Sequence, residues 1–354
     1  MTLRLGLIGC GFVAALHSRS IKALVDAGLV DAAVAATCDL DRSRAESFAR
    51  AHGAAAEATD DVGEVLAAVD AVYVCTPTAS HRGLVEAAAG AGVAVFCEKP
   101  LATTLADAEA MAASVGSAGV AAQVGLVLRT SPSYGRLVDV VQSGDLGRPL
   151  AVVFRDDQYF PTQGQYASSW RGDVAVAGGG TLLEHSIHDL DVLRWLLGDV
   201  TSVSARTANF AGHPGVEDVA AATLTFAGGT TASLVSVWHQ ILSRPSGRYL
   251  EVICERGMAV ADSEYVGPLR LLTDDPPVAI TCHPPAWVEG LPVAERWRAA
   301  VAAYAPQSRD FLDAVVAGRP PEPGFGVAVA AHRVADAIYR SAGDGGAVVG
   351  LAAG

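Results

Sequence analysis

The chain has 354 residues, enough for two domains that each bury a core, and its 51% hydrophobic and 18% charged residues are typical of a globular protein. The formal net charge is −13 and no run rich in Lys or Arg occurs, so nucleic acid is excluded as an expected partner. No stretch supplies the roughly 20 continuous apolar residues of a membrane span, so no membrane association is expected.

The N-terminal residues and the cysteines indicate where the protein resides. The segment MTLRLGLIGCGF lacks a charged leader of any length and a small-residue cleavage site, so it predicts a buried strand rather than a secretory signal. The six cysteines lack CxxC or other metal-ligand spacing, and four fall at or near the ends of predicted buried strands. We therefore predict a soluble, cytoplasmic protein with free thiols and no metal site.

The first 125 residues alternate short apolar runs with Ala-rich helical segments. Predicted strands cover residues 3–8, 34–38, 71–75, 93–97 and 120–125, and predicted helices cover 14–27, 42–52, 81–91 and 104–117. Thr104 is the expected N-cap of the last helix. Nearly continuous apolar strands separated by helices predict a parallel sheet covered on both faces. We assign residues 1–125 to a doubly wound α/β domain.

From about residue 150, strands joined by short turns predominate. Predicted strands cover 150–157, 200–209, 219–226, 230–238, 249–255 and 269–273, and predicted helices cover 182–197, 293–304, 308–317 and 327–340. Connections of hairpin length, such as the glycine turn at 227–229, predict a mainly antiparallel open sheet. We assign residues 126–354 to an α+β domain for substrate binding and oligomerisation. The active site is expected in the cleft between the two domains.

A glycine-rich turn follows the first predicted strand. It has the GxGxxA spacing, in which Gly9 permits the tight turn, Gly11 lets a pyrophosphate approach the backbone, and Ala14 allows close packing of helix and strand. The start of the helix would offer N–H groups and a favourable dipole to phosphates. Because the motif joins the first strand to the first helix, it predicts a dinucleotide site. The residues predicted to form this part of the site are Gly9, Gly11, Phe12, Val13 and Ala14.

Asp39 follows the second predicted strand. Its carboxylate can accept hydrogen bonds from the ribose hydroxyls of adenosine and would repel a 2′-phosphate, which favours NAD over NADP. The spacing from Gly11 exceeds the usual ~20 residues. Two alternatives stay open, because Arg42 and Arg44 could soften this discrimination and Asp39 could be an ordinary N-cap of the following helix.

Three further motifs occur together along the chain. They are Cys75-Thr76-Pro77-Thr78-Ala79-Ser80-His81, Cys97-Glu98-Lys99-Pro100-Leu101, and the run from Trp170-Arg171-Gly172-Asp173 through three glycines to Glu184-His185-Ser186-Ile187-His188. The chain resembles the Gfo/Idh/MocA family of glucose–fructose oxidoreductase, inositol dehydrogenase and rhizopine catabolism proteins. The resemblance covers essentially the whole chain. It implies a Rossmann domain, and it points to a homodimer or homotetramer.

The resemblance also implies roles for individual residues. It places Pro77 and His81 beside the nicotinamide ribose, although His81 could instead cap the following helix. The full set of expected cofactor contacts in these motifs is Thr76, Pro77, His81, Glu98 and Lys99. A proton-shuttling group of lysine, acid and histidine maps onto Lys99, Glu184 and His188. Inositol dehydrogenases have Asp at the position of Glu184, so the role of this longer side chain is left open.

The residue types alone support the same chemistry. On a continuous helix, Glu184 and His188 are four residues apart and share one face. Histidine suits removal of a hydroxyl proton near neutral pH, and Lys99 at the end of a parallel strand can stabilise alkoxide character. Alternatives are that His188 is a core residue held by Asp189 or Asp191, and that Glu184 is only a structural partner of Lys99. His185, about 100° away on the helix, is a rim contact or structural.

Arg129, Trp170 and Arg171 are candidate substrate contacts besides Lys99, Glu184 and His188, because arginine forks and aromatic walls suit polyhydroxylated ligands. The sequence therefore predicts an NAD-dependent dehydrogenase acting on a sugar or cyclitol, without a metal. Two other functions stay open. One is a glycosidase that uses NAD for transient oxidation, and the other is a regulatory protein that senses the cofactor without catalysis.

Overall fold

The computed structural model describes residues 2–52, 56–244, 246–263 and 265–352, leaving aside the side chain of Gln165. Compactness divides the chain into two units, Met1–Val127 with Pro285–Val329, and Leu128–Pro284 with Ala330–Gly354. This division differs from the predicted domains 1–125 and 126–354. The boundary lies two residues later, and residues 285–329 belong to the first unit. Residues 1, 353 and 354, at the outer ends of the predicted domains, lie outside the described residues. The roles assigned to the two domains stay predictions.

The first unit contains a six-stranded parallel sheet. Its strands are β1 (Leu3–Ile8), β2 (Ala32–Cys38), β3 (Glu57–Thr59), β4 (Ala71–Val74), β5 (Ala94–Cys97) and β6 (Ala122–Val124), in the order β3-β2-β1-β4-β5-β6. The helices between them are α1 (Phe12–Asp26), α2 (Arg42–His52), α3 (Val62–Ala68), α4 (His81–Gly90) and α5 (Leu105–Ala118). The predicted α/β domain with a doubly wound parallel sheet is confirmed; β3 and α3 were not predicted.

The two faces of this sheet bury separate cores, because side chains alternate along each strand. Leu5, Leu7 and Phe96 pack on one face, whereas Val72 and Val95 pack on the other. Each fully buried side chain of this size stabilises the fold by about 2 kcal/mol relative to exposure. Thr104 caps α5 as predicted, since its hydroxyl oxygen accepts the amide of Asp107.

The second unit contains a nine-stranded sheet. Its elements are α6 (Pro132–Gln142), β7 (Pro149–Tyr159), α7 (Val174–Ala177), α8 (Thr181–Glu184), α9 (Ile187–Leu197), β8 (Val200–Ala208), β9 (Val219–Phe226), β10 (Thr231–His239), β11 (Gly247–Cys254), β12 (Met258–Ala261), β13 (Leu269–Leu272), β14 (Val278–Ile280) and β15 (Val349–Gly350). The order is β14-β13-β12-β11-β7-β10-β9-β8-β15. Only β7 and β10 among these neighbours are parallel, so the predicted mainly antiparallel sheet is confirmed.

The C-terminal helices are α10 (Ala286–Glu289), α11 (Arg298–Ala317) and α12 (Phe325–Gly343). Two predicted helices, 293–304 and 308–317, are wrong in their separation, because α11 continues through Pro306. Burial of Phe311 and Leu312 against the first sheet outweighs the hydrogen bond that proline removes. The helix α6 was not predicted, although Ser131 caps it and Pro132 occupies its first turn.

The predicted helix 182–197 is also wrong in its continuity. It is divided into α8 and α9, and His185 and Ser186 lie between them. The hydroxyl of Ser186 donates to Asp156 Oδ2 at 2.9 Å and to the Ser236 hydroxyl at 2.6 Å, and both partners belong to the sheet. These side-chain bonds compete with continuous helical pairing.

All six cysteines are free and buried, as predicted for unpaired thiols. Within the described residues, no helix combines the length and the apolar character needed to cross a bilayer. The cytoplasmic location stays a prediction.

Candidate active site

The glycine-rich turn has the geometry that its sequence predicts. Gly9 has φ +87°, and a Cβ there would lie 2.7 Å from Thr76 Cγ2, so glycine is required. A Cβ at Gly11 would meet no described atom within 4 Å, so the backbone there is open to a ligand. Ala14 is fully buried beneath the turn, whereas Phe12 is 52% exposed and Val13 is half-buried. This arrangement fits a dinucleotide pyrophosphate at the start of α1.

The side chain of Asp39 is hydrogen-bonded to this turn. Its Oδ2 accepts the main-chain amide of Cys10 at 2.8 Å, and its Oδ1 accepts that of Asp41 at 2.9 Å. The carboxylate of Asp41, not that of Asp39, accepts the amide of Ser43 at the start of α2. Asp39 is therefore not the helix cap that was the alternative interpretation, and its half-buried carboxylate borders the glycine-rich turn.

His81 contacts two loops of the first unit, the one that follows β4 and the one that follows β5. Its Nε2 lies 2.9 Å from the carbonyl oxygen of Thr76, and its Nδ1 lies 3.0 Å from that of Pro100. The ring is buried, with 1% of the residue exposed, so it acts on the backbone that follows Lys99. A contact between His81 and a cofactor stays a prediction.

Glu98 lies on the other side of Lys99 and points into the unit. Its Oε1 is 2.7 Å from Nε2 of His17, and its Oε2 accepts the main-chain amide of Lys99 at 3.1 Å. Burial by itself would raise the pKa of Glu98, but the hydrogen bond and charge of His17 and the charge of Lys99 hold this pKa below its usual value. A buried, ionised carboxylate therefore lies directly behind Lys99.

In the second unit, Glu184 ends α8 and His188 lies in the first turn of α9, and both are buried. The Nε of Arg171 is 3.3 Å from Glu184 Oε2, and the Arg171 guanidinium lies 4.4 Å from the ring centroid of Trp170. Three of the predicted site residues, Trp170, Arg171 and Glu184, are therefore brought together. The break between α8 and α9 means that Glu184 and His188 do not share a continuous helix face as we expected.

The carboxylates proposed as alternative partners of His188 each have an arginine. Asp191 forms two bonds of 2.8 Å with Arg129, and Asp189 Oδ1 accepts Nε of Arg248 at 2.7 Å. The guanidinium of Arg129 is thus engaged with α9, and its predicted contact with substrate stays a prediction.

A buried acidic pair supports the helix break. Arg248 approaches both Asp156 and Asp189, and Nδ1 of His185 lies 3.1 Å from Asp156 Oδ2. The remaining oxygens, Asp156 Oδ1 and Asp189 Oδ2, have no hydrogen-bond partner in the described part of the chain. Burial and the neighbouring Asp189 raise the pKa of Asp156 well above its ordinary value, and the charge of Arg248 opposes this shift. Only 11% of the His185 side chain is exposed, which agrees with its structural interpretation.

Glu217 holds the three-glycine loop before α8. Its carboxylate accepts the amides of Gly180 at 2.8 Å and Leu182 at 3.0 Å, and the Tyr339 hydroxyl donates to it at 2.9 Å. Burial raises the pKa of Glu217, which these three donors oppose. The start of α8, and with it Glu184, is fixed by one buried carboxyl group.

Sequence reasoning missed several of these supporting residues, namely His17, Asp156, Glu217 and Arg248. A signal was available for two of them. His17 falls on the buried stripe of α1 with Ala14, Ile21 and Leu24, and Asp156 continues the inward-facing alternation of β7. A polar residue at a core position of this kind indicates a buried network.

Residues 3–126 match a family model described as "Oxidoreductase family, NAD-binding Rossmann fold", and residues 134–260 match the "GFO/IDH/MocA C-terminal domain". An inositol 2-dehydrogenase from Cereibacter sphaeroides is 30% identical over 358 residues, which cover 99% of this chain and 96% of that protein. A D-apiose dehydrogenase from Paraburkholderia graminis is 36% identical over 231 residues, 64% of this chain and 58% of that protein.

Solved structures share the fold over nearly the whole chain. An oxidoreductase domain protein from Kribbella flavida has a TM-score of 0.87 at 26% identity, covering 99% of this chain and 100% of that one. Levoglucosan dehydrogenase in complex with NADH and levoglucosan has a TM-score of 0.87 at 24% identity with the same coverage, which shows the fold alone. The matches confirm the predicted Rossmann domain and its cofactor NAD. The chain belongs to the Gfo/Idh/MocA family of oxidoreductases.

Proposed function

We propose that the protein is an NAD-dependent dehydrogenase that moves a hydride between nicotinamide and a secondary carbinol carbon of a sugar or cyclitol. The observation that carries the proposal is the buried acid Glu184, paired with Arg171, next to the helix break that precedes His188. A cofactor sensor without catalytic activity has no need of the combination of Lys99, Glu184 and His188. The 30% identity to an inositol 2-dehydrogenase across the whole chain supports the substrate class.

NAD, when bound, supplies the acceptor for the hydride. We assign to His188 the removal of the hydroxyl proton as the carbon–hydrogen bond breaks with its electron pair. Lys99, as an ammonium, hydrogen-bonds to the same oxygen and stabilises its developing negative charge. Glu184, held by Arg171, sets the charge near the proton acceptor. Trp170 and Arg171 bind the substrate hydroxyls.

We further propose that the protein prefers NAD to NADP. The Asp39 carboxylate borders the glycine-rich turn, and a negative charge there repels a 2′-phosphate. Arg42 and Arg44 have acidic partners, Glu46 at 3.8 Å and Asp41 at 3.5 Å, which reduces their attraction for such a phosphate. Assembly as a homodimer or homotetramer is part of the same proposal.

The test is a screen of inositols and sugars, including D-apiose and levoglucosan, for NADH formation at 340 nm with the full chain. We expect activity with NAD that exceeds activity with NADP. Lys99→Ala and His188→Ala should each reduce kcat by 10²-fold or more, on the order expected for loss of a general base or charge stabiliser. The matched control Lys22→Ala removes an exposed lysine that pairs with Asp26 and should leave kcat unchanged.

Two other functions have distinct signatures in the same screen. Cleavage of aryl glycosides without net NADH formation would establish the glycosidase. NADH binding without turnover of any polyol or aryl glycoside would establish the cofactor sensor. Either result overturns the proposed dehydrogenase.

A further inference from the structure

A buried histidine–carboxylate pair lies behind Lys99, and the proposed reaction does not use it. Nε2 of His17 on α1 is 2.7 Å from Oε1 of Glu98, and the exposed fractions of the two side chains are 0% and 8%. Burying the Glu98 carboxylate costs on the order of several kcal/mol of desolvation, and this cost is offset only when its hydrogen bonds have good geometry. A buried charge that the reaction does not use is therefore a candidate for a role beyond stability.

Glu98 has little room to move. Its Oε2 accepts the amide of Lys99, and a Cβ on the neighbouring Gly125 would lie 2.8 Å from its Oε1. Only glycine at position 125 leaves space for the carboxylate. Glu98 is thus fixed between the β6 edge and the main chain of Lys99.

The ring of His17 is fixed as well. The rings of Tyr73, Phe96 and Tyr304 surround it, with centroid distances of 5.3, 4.8 and 5.0 Å. Because an ionised carboxylate can only accept, Nε2 of His17 must donate to Glu98, and Nδ1 lies 3.5 Å from the Ser308 hydroxyl. The orientation of the ring is defined by its neighbours.

Buried titratable groups around the pair keep their neutral forms. Burial raises the pKa of the Tyr73 hydroxyl and of the Cys75 and Cys97 thiols, and the charge of Glu98 adds to both thiol shifts. Burial also raises the pKa of the Cys10 thiol to about 12. The Glu98 carboxylate therefore provides a negative charge next to Lys99 on this side.

We propose that His17 and Glu98 are a positioning pair that fixes the main chain of Lys99 and keeps its side chain in the ammonium form. The inference rests on the proposed function, in which Lys99 binds the reacting oxygen. It reassigns Glu98 from the expected cofactor contact to a support of Lys99. His81 completes the support, because it holds the carbonyl of Pro100 on the far side of Lys99.

The chain offers a direct test, because Lys22 and Lys99 are its two lysines. Full-length protein is produced with [13C]lysine, and the Cε chemical shifts of both residues are followed against pH, with Lys22→Arg to assign them. Glu98→Gln should lower the pKa of Lys99 by about one unit or more, because a neighbouring opposite charge is lost. Lys22, exposed on α1, should keep its pKa in every variant and serves as the internal control.

Two substitutions of His17 separate the hydrogen bond from packing. His17→Phe keeps a ring among the aromatic residues but removes the donor, so Glu98 should take up a proton and the pKa of Lys99 should fall as in Glu98→Gln. His17→Gln can still donate an amide hydrogen to Glu98 and should restore the pKa of Lys99. Thermal unfolding of each variant checks that it is folded, and the two His17 variants decide the question if Glu98→Gln does not fold.

A purely structural pair would lower the melting temperature in these variants and leave the Lys99 titration unchanged, and that result overturns the inference. The inference is also overturned if the pKa of Lys99 falls as far in His17→Gln as it does in His17→Phe. Failure of the proposed function is distinguishable, because the titration needs no substrate, whereas the function fails if Lys99→Ala retains NADH formation.

Discussion

The carboxylate of Asp39 and the main-chain amide of Cys10 lie 2.8 Å apart, so the predicted ribose contact and the glycine-rich turn are one structure. Residue 39 follows β2, and residue 10 follows β1, its parallel neighbour in the sheet. A charge-assisted bond between the two ends fixes the turn before any ligand arrives. The same side chain thus shapes the turn and, in the proposed preference for NAD, repels a 2′-phosphate.

Asp39→Ala should weaken NADH binding by about tenfold or more, or about 1.4 kcal/mol, because the proposed ribose contact and the anchor of Cys10 are both lost. NADPH binding should weaken less, since the repulsion of its 2′-phosphate disappears. Isothermal titration calorimetry with both dinucleotides measures this. Asp41→Ala, which removes the side chain at the start of α2 but leaves that of Asp39, is the control. Equal losses for the two dinucleotides would contradict a role in cofactor choice.

The strands and the glycine-rich turn could be predicted because their signals are local. Apolar runs of strand length, Gly9 at a tight turn and Thr104 at a helix start each determine backbone conformation through neighbouring residues. Local signals could not predict that residues 285–329 belong to the first unit. Phe311 packs edge-on against Tyr73 and Phe96 at centroid distances of 5.4 and 5.7 Å, and this contact joins positions more than 200 residues apart.

The candidate site was predictable in its residue types and less so in its geometry. Glu184 and His188 have helical spacing, but the hydroxyl of Ser186 bonds to Asp156 on β7 and interrupts the helix. No local pattern predicts this partner, because it depends on the sheet order. The same holds for Arg129, whose fork could serve a substrate or a carboxylate until the position of Asp191 is known.

Gly180→Ala should prevent correct folding of the loop before α8, because a Cβ there would lie 1.8 Å from the carbonyl oxygen of Glu217. The backbone cannot yield without losing the bonds to Glu217, so we expect a loss of about 3 kcal/mol or more in the free energy of unfolding. Urea denaturation followed by tryptophan fluorescence measures it. Gly228→Ala, where a Cβ meets nothing within 4 Å, should change stability little. A Gly180→Ala variant as stable as the Gly228→Ala control would refute the packing argument.

The raised pKa of Asp156 beside Asp189 predicts unequal effects of two isosteric substitutions. Burial raises the pKa of Asp156 well above its ordinary value and Asp189 adds to the shift, although Arg248 opposes it. Asp156→Asn removes a carboxyl group whose ionised form is disfavoured by burial and leaves an amide that can donate to Asp189, so it should cost less than about 1 kcal/mol. Asp189→Asn removes the closest carboxylate from buried Arg248 and should cost about 3 kcal/mol or more.

The pH dependence of Asp156→Asn gives a second check of the same pair. An acid whose pKa is raised on folding binds its proton more tightly in the folded state, so its contribution to stability falls as pH rises from the unfolded pKa through the folded one. As pH increases over this range, Asp156→Asn should therefore lose less stability than the original protein. Urea midpoints across the range measure it, and a larger loss in Asp156→Asn than in Asp189→Asn at neutral pH would contradict a raised pKa of Asp156.

His52 at the end of α2 predicts sensitivity to acid. Burial, with the charge of Lys22 adding to it, lowers its pKa from 6.5 to about 4, and its Nε2 lies 2.5 Å from the Ser18 hydroxyl. Between these values the unfolded chain binds a proton that the folded protein does not, so the contribution of His52 is complete above pH 6.5 and is lost as pH falls toward 4. The loss is at most about 3 kcal/mol, since the side chain is partly exposed.

His52→Gln keeps a polar partner for Ser18 and cannot titrate, so its stability should fall less steeply over this range. Urea midpoints at pH 7, 6 and 5 compare it with His283→Gln, which changes an exposed histidine and should follow the original protein. Parallel curves for all three proteins would mean that His52 takes up its proton without cost in the folded state.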